Sequence, residues 1–305
     1  MELNPSARHN LPPEPTTFIG RADEVARITA LLRDPACRLL TLVGMGGIGK
    51  TRLALAAAAH LLDDFPDGVY YVPLQSLTAH TDVLPVVADA IQLRFFGQTD
   101  PLQQLLSHLN GHRVLLVLDS FEHLLEGVDL LVAILAGAPG VRLLVTSRER
   151  LRLLEEWTFE VSGLTFPEDE RAGSLEDYSA IQLFVHHARR ATNRFSPSAE
   201  DWTAITRICR LVEGMPLAIE MAASWARTLT CAEIADQIGH GQDILTATAR
   251  NAPEAHRSMR TVFDRMWRLL TDAERVGFSK LAIFQGEFRR EAAEMIAGVS
   301  LPLLD

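Results

Sequence analysis

Cysteine is scarce, long apolar runs are missing and positive charge is in deficit. Three cysteines, Cys37, Cys209 and Cys231, occur in 305 residues. They are too few and too scattered for a disulfide framework or a zinc site, which points to a reduced, cytoplasmic setting. No apolar stretch reaches the roughly 18 residues that a membrane span needs, so no membrane partner is expected. Met1 to Thr17 has no apolar signal core and carries Pro5, Pro12, Pro13 and Pro15, so it reads as an extended lead-in. Lysine and arginine number 29 against 39 acidic residues, a formal net charge of −10. Bulk electrostatics therefore do not favour direct nucleic-acid binding, although one face of a multi-domain chain can still be basic. No His-Glu-x-x-His or similar ligand spacing occurs, and no Ser/His/Asp arrangement is recognisable. The ten histidines, including the adjacent His186 and His187, read as structural or surface residues. There is no internal repeat and no low-complexity tract.

What is present is an ordinary globular composition, 48% hydrophobic and 22% charged, long enough for two or three domains. Its most informative stretch is Gly44-Met45-Gly46-Gly47-Ile48-Gly49-Lys50-Thr51, a full G-x-x-x-x-G-K-[ST] phosphate loop. Before it, Leu39 to Val43 suits a buried strand. After it, Arg52 to Leu62 suits a helix. Strand, glycine loop and helix together are the context that distinguishes this motif from a chance glycine-rich turn. The glycines let backbone N–H groups wrap closely around phosphate, and the helix start near Lys50 adds its positive end. Lys50 is placed to reach the terminal phosphates, and the Thr51 hydroxyl to ligate Mg²⁺. The chain is expected to bind a nucleoside di- or triphosphate.

The first half alternates strands and helices. Val69 to Val72, Val114 to Leu118 and Val141 to Thr146 are further apolar strands, and Trp157 to Val161 suits an edge strand. Val83 to Leu93, Pro101 to Leu109 and Val128 to Leu135 read as helices. Continuous apolar strands separated by helices predict a parallel sheet covered on both faces. After about Gly163 the pattern becomes all helix. Ile181, Phe184, Val185 and Ala188 recur at helical spacing, as do Trp202, Ile205, Ile208, Cys209 and Val212 behind the capping signature Ser198 to Asp201. Pro216 suits the first turn of a helix running to Arg227, and Cys231 to Ile238 is another helix. Gly239 to Asn251 reads as a linker. Two helices follow from about Ser258, the second opening with the capping box Thr271 to Glu274. The chain stops at Asp305, soon after Phe284-Gln285-Gly286.

Asp119 ends an apolar strand. In a phosphate-loop protein such an acid lies beside the loop and holds Mg²⁺ through water; the alternative is a helix cap or turn residue. Ser120 follows, where vigorous ATPases often place a second carboxylate to polarise water, and its presence suggests slow hydrolysis. Glu122 is a candidate substitute, with a solvated surface charge as the expected reading. Arg148 ends another strand at the same sheet edge. It suits a γ-phosphate contact, or else belongs to a surface cluster with Arg150 and Arg152.

Several motifs occur in one order: Phe18-Ile19-Gly20-Arg21-Ala22-Asp23-Glu24, the phosphate loop with Arg52-Leu53-Ala54, Leu115 to Leu124, Leu143 to Arg148, and Glu213-Gly214-Met215-Pro216-Leu217-Ala218-Ile219-Glu220. From about residue 15 onward this series resembles the signal-transducing STAND ATPases of the NB-ARC type, especially bacterial AfsR- and LuxR-type (MalT-like) regulators. Those are related to the nucleotide-binding cores of plant resistance proteins and of Apaf. The resemblance implies that Phe18, Ile19 and Arg21 lie near adenine and ribose, and that Pro216 packs on adenine with Leu217 beside it. It implies that Gly44, Gly46, Gly47, Ile48, Gly49, Lys50, Thr51 and Arg52 bind the nucleotide. It makes Asp119 and Thr51 the Mg²⁺ residues and Arg148 the γ-phosphate sensor, with Lys50, Asp119 and Arg148 as the catalytic set.

The implied architecture is an α/β P-loop NTPase domain (15–163) behind an extended lead (1–14), a small helical domain (164–250) and the start of a winged-helix domain (251–305). The last looks incomplete, and no winged-helix histidine that senses the β-phosphate can be assigned. The implied function is an ADP/ATP switch with slow hydrolysis, self-association when activated, and sensor and effector segments outside this chain. The alternatives are an actively hydrolysing AAA-like ATPase, which also needs an arginine finger from a neighbour, and a small-molecule kinase, against which the long helical half argues.

Overall fold

The apolar runs become one sheet. In the computed structural model, which describes residues 9–14, 16–167, 174–241, 244–246, 258–284 and 289–298, they form β1 (Leu39–Val43), β2 (Gly68–Pro73), β3 (Val114–Asp119), β4 (Arg142–Ser147) and β5 (Glu156–Glu160). The five strands lie in the order β2-β3-β4-β1-β5, and every neighbouring pair is parallel. Parallel neighbours need crossover connections. Helices α2 (Lys50–Ala59), α3 (Val83–Ala90), α4 (Pro101–Leu109) and α5 (Val128–Gly137) supply them. The expected edge strand is at the edge, beside β1, with Leu42 opposite Phe159.

Strand periodicity divides the core into two faces. Leu116 and Leu118 of β3 join Leu143 and Val145 of β4 against Val87, Leu105, Leu131 and Ile134 of α3 to α5. Leu115 and Val117 point the other way and join Leu40, Leu42 and Leu144 against Leu53 and Ala57 of α2. The second face is completed by α1 (Ala22–Arg33), a helix additional to the sequence expectations, which buries Val25, Ile28, Thr29 and Leu32. The extended lead-in runs beside β2: His9 bridges Val69, and the Asn10 amide binds both the carbonyl and the N–H of Tyr71. Residues 1–8 and 15 lie outside the described residues.

The chain divides into two compact units, Met1–Gln242 and Asp243–Asp305. In the first, the sheet is followed by α6 (Ser179–Ala191), α7 (Ala199–Leu211), α8 (Pro216–Ser224) and α9 (Cys231–Gly239). The capping box at Ser198 and Asp201 forms as expected, and Thr230 with Glu233 forms another. Pro216 occupies the first turn of α8, which stops at Ser224 and passes into a 3-10 turn reaching Arg227. Helix α3 stops short of Leu93 because Gln92 takes a left-handed φ of 59°, and α2 stops short of Leu62. The second unit holds α10 (Met259–Leu269), α11 (Asp272–Leu281), capped by Thr271 and Glu274, and α12 (Arg290–Ala297). Most of the expected linker 239–251 and the segment 285–286 lie outside the described residues. The three cysteines are free and buried. Among the described residues no helix is long and apolar enough to cross a membrane.

Leu144 sits on the central strand and is fully buried. Leu144→Ala is expected to lower unfolding free energy by about 2–5 kcal/mol, read by urea denaturation. A loss under about 1 kcal/mol would mean that the site collapses freely or is not core.

Candidate functional site

The phosphate loop leaves β1 at Val43 and enters α2 at Lys50, with Gly49 as the helix N-cap. Gly47 and Gly49 both adopt left-handed backbone, φ 81° and 94°, which side chains rarely tolerate. The Lys50 ammonium turns back into the loop and donates to the carbonyls of Gly44 at 2.6 Å and Met45 at 3.1 Å. Burial lowers its pKa to about 8; the charges of Glu122 and Asp119 act in the opposite direction, and that of Arg148 adds to the lowering.

Strand order decides what faces the loop. Because β4 lies between β1 and β3, Val43, Asp119 and the run Thr146-Ser147-Arg148 finish at one edge. The buried Asp119 carboxylate accepts hydroxyl hydrogen bonds from Thr51 at 2.7 Å, Thr146 at 2.6 Å and Tyr71 at 3.0 Å. Burial, then the Asp119 charge, pushes the Tyr71 phenol well above its ordinary pKa. Tyr71 and Thr146 are additions to the expected site; inside apolar strands they carry no signal that separates them from core residues. Thr51 and Asp119 are the residues that could hold Mg²⁺. No group of three or more His, Cys, Asp or Glu side chains forms a metal cluster among the described residues.

Glu122 corrects the expectation of a solvated surface charge. Ser120 has a left-handed φ of 67°, and its N–H donates to the Thr146 hydroxyl at 2.8 Å. The next N–H, of Phe121, donates to the Thr146 carbonyl at 2.9 Å, and the Phe121 ring is fully buried. The chain thus doubles back across the end of β4. Glu122 meets Arg148 there, with Nε to Oε1 at 3.1 Å and side chains only 12% and 16% exposed. Arg148 is therefore separate from the surface cluster proposed for it: Arg150 pairs with exposed Glu160, and Arg152 is exposed. Glu122 Oε2 and Arg148 Nη1 are both buried without a hydrogen-bond partner.

A second group of expected residues surrounds a cleft of about 340 Å³, open solvent included, beside the loop. Phe18, Ile19, Arg21, Gly49, Arg52, Pro216 and Glu220 are among the residues that line it. Arg21 is buried, and its Nη2 donates to the Ile48 carbonyl at 2.7 Å and to the Ser162 carbonyl at 2.9 Å. Burial lowers its pKa, opposed by Glu24, and its Nη1 has no partner. Arg52 donates to the carbonyls of Thr16 and Thr17, lies over the Phe18 ring and approaches Glu220 at 3.9 Å. His187 lies 3.7 Å from the same carboxylate. Burial and neighbouring cations lower His187 to about 4, so it is neutral at pH 7 and this contact is no ion pair.

Helix α8 is seated directly on the loop. The Leu217 N–H donates to the Gly47 carbonyl at 3.3 Å, and a Cβ added at Gly49 would fall 3.8 Å from the Pro216 ring. Gly214 fixes the approach: its φ is 65°, and a Cβ there would fall 2.1 Å from the Leu164 carbonyl oxygen. Leu164 in turn donates to the Gly214 carbonyl at 2.8 Å. The expected residues thus fall into two adjoining groups, phosphate loop with acid, and cleft with α8. Gly44 and Gly46 lie within the loop itself.

Fold and site together define a P-loop ATPase domain, and residues 33–154 match a family model described as an AAA domain. The chain is 32% identical over 292 residues to the uncharacterized protein Rv0894 of Mycobacterium tuberculosis, covering 95% of this chain and 71% of that protein, and it belongs to that protein's family. It is 33% identical to the putative HTH-type transcriptional regulator Rv0890c of the same organism, covering 86% of this chain and 29% of that protein. It is 28% identical to the regulatory protein AfsR of Streptomyces griseus, covering 74% of this chain and 23% of AfsR. Among solved structures, the ORC2 protein of Aeropyrum pernix shares the fold, with a TM-score of 0.50, 12% identity, and coverage of 93% of this chain and 81% of that one. The resemblance to bacterial AfsR-type nucleotide-binding regulators is borne out by these relatives.

The lowered Lys50 pKa gives a sign that can be measured. Below about 8 the buried ammonium disfavours the folded state, and this penalty fades as pH rises toward the ordinary lysine value. A bound phosphate favours the charged form. Binding of ADP at about pH 8.5 is therefore expected to take up a fraction of a proton, read by calorimetric titration in buffers of different ionisation enthalpy. No proton uptake at that pH would contradict a buried, partly neutral Lys50.

Proposed function

We propose that this chain is the core of an ADP/ATP-binding signalling switch with slow hydrolysis. The observation that carries this reading is the seating of α8 on the phosphate loop through Leu217 and Gly47. A ligand entering between loop and helix must touch both, so different phosphate chains can favour different arrangements. Gly44, Gly46, Gly47, Ile48, Gly49, Lys50 and Thr51 hold the phosphates, with Arg52 beside them. Thr51 and Asp119 hold Mg²⁺, which when bound neutralises phosphate charge. Arg148 senses the γ-phosphate. Phe18, Ile19, Arg21, Pro216 and Leu217 enclose the adenine nucleoside. ADP keeps the arrangement closed, and ATP loosens α8 and permits self-association.

Sensing and output belong to segments outside this chain, in keeping with relatives of which it spans only 29% and 23%. The name of the first of these favours a transcriptional output. The working boundaries are 15–163 for the nucleotide domain, 164–250 for the helical domain and 251–305 for a winged-helix start. A second reading, an actively hydrolysing AAA-like ATPase, is favoured by one observation: Glu122 is a carboxylate held inside the site.

Denaturing freshly purified protein and separating the released nucleotide by chromatography tests the switch. About one ADP per chain is expected, as tight binding with slow exchange requires. An empty protein that turns over added ATP at the roughly 10 s⁻¹ of a typical enzyme would overturn it in favour of the second reading.

A further inference from the structure

The Glu122–Arg148 pair has no evident structural purpose. Buried ion pairs contribute little net stability, because desolvation offsets their attraction. This one is also incompletely satisfied, with Glu122 Oε2 and Arg148 Nη1 both unpartnered. Buried polar atoms left in that state call for an explanation. Position supplies one. Arg148 follows the end of β4, the strand beside β1 and its phosphate loop, and the charges of both residues act on Lys50. Glu122 is also held there by construction, through the left-handed Ser120, the Phe121 N–H on the Thr146 carbonyl and the buried Phe121 ring.

We propose that Glu122 is the carboxylate that activates the attacking water, and that Arg148 masks it until a γ-phosphate draws the guanidinium away. This deepens the switch reading and rests on its assignment of Arg148 to the γ-phosphate. A phosphate offers the guanidinium a more highly charged, bidentate partner than one carboxylate oxygen does. When Arg148 turns to it, Glu122 is left as an unpaired carboxylate beside the scissile group. A water oxygen then bonds to the γ-phosphorus while the bond from that phosphorus to the bridging oxygen breaks. The water proton passes to Glu122 and on to the released phosphate, and ADP departs. With ADP alone the pair stays closed. Glu122 and the γ-phosphate compete for one arginine, so hydrolysis is held back without a carboxylate being absent. The serine at position 120 then reflects a displaced base.

The test compares ATP and ADP affinities and single-turnover hydrolysis for the wild-type chain, Glu122→Gln and Arg148→Ala. Removing the competing charge in Glu122→Gln is expected to raise ATP affinity relative to ADP by about fivefold or more. The same substitution is expected to slow hydrolysis roughly 100-fold. A structural ion pair would do neither: both nucleotides would weaken together, or nothing would change, and either result overturns the proposal. If Glu122→Gln does not fold, Glu122→Asp keeps the charge but shortens its reach; slowed hydrolysis with near wild-type affinities supports the proposal, and unchanged hydrolysis overturns it. Arg148→Ala separates the two layers. An unchanged ATP-to-ADP preference there defeats the sensor reading and the masking with it. A lost preference there, with Glu122→Gln inert, defeats the masking alone.

Discussion

Four ionisable side chains, Lys50, Asp119, Glu122 and Arg148, are drawn from water at one sheet edge, and much of the surrounding structure serves to hold them. Their mutual placement depends on β4 lying between β1 and β3. That strand brings Thr146 to the Asp119 carboxylate, which Thr51 at the end of the loop also reaches. The three hydroxyls on Asp119 stabilise its charge without supplying a cation, so a metal ion is not excluded by a lysine or arginine already seated on that carboxylate. Lys50, by contrast, satisfies its ammonium on loop carbonyls, an arrangement that phosphate oxygens can replace.

The second constraint is close approach. Helix α8 reaches the loop only because Gly214 has no side chain to strike Leu164, and because Gly47 leaves room for Leu217. The consequence is that loop and helical region share hydrogen bonds rather than merely touching. Arg21 extends the same logic, tying Ile48 of the loop to Ser162 at the end of the sheet domain. Motion of any one of these segments breaks a polar contact. For the proposed switch, such shared contacts favour two discrete arrangements over a continuum.

Much of the fold was legible because local chemistry was unambiguous. Continuous apolar runs between turn residues could only be buried parallel strands, and Pro216, Ser198 and Thr271 announced helix starts through capping and φ restriction. The phosphate loop declared itself by spacing. The site was legible only where a residue's role follows from its place at a strand end, as for Asp119. Tyr71 and Thr146 were hidden because a hydroxyl inside an apolar strand does not reveal which strand end it will face. Glu122 was misread because its burial depends on the backbone at Ser120 turning left-handed, which serine does not advertise. Helix α1 was obscured because its first turn overlaps the motif at Phe18 to Glu24.

The most direct test of the switch is hydrogen exchange at single-residue resolution, comparing protein saturated with ADP and with a non-hydrolysable ATP analogue. The loop amides from Gly46 to Thr51 should be protected in both states. The Leu217 amide, bonded to the Gly47 carbonyl, should be protected with ADP and exchange at least about tenfold faster with the analogue, a shift of roughly 1.4 kcal/mol in local opening. Equal protection of Leu217 in both states would mean that the helix does not read the γ-phosphate, and would contradict the account at its centre.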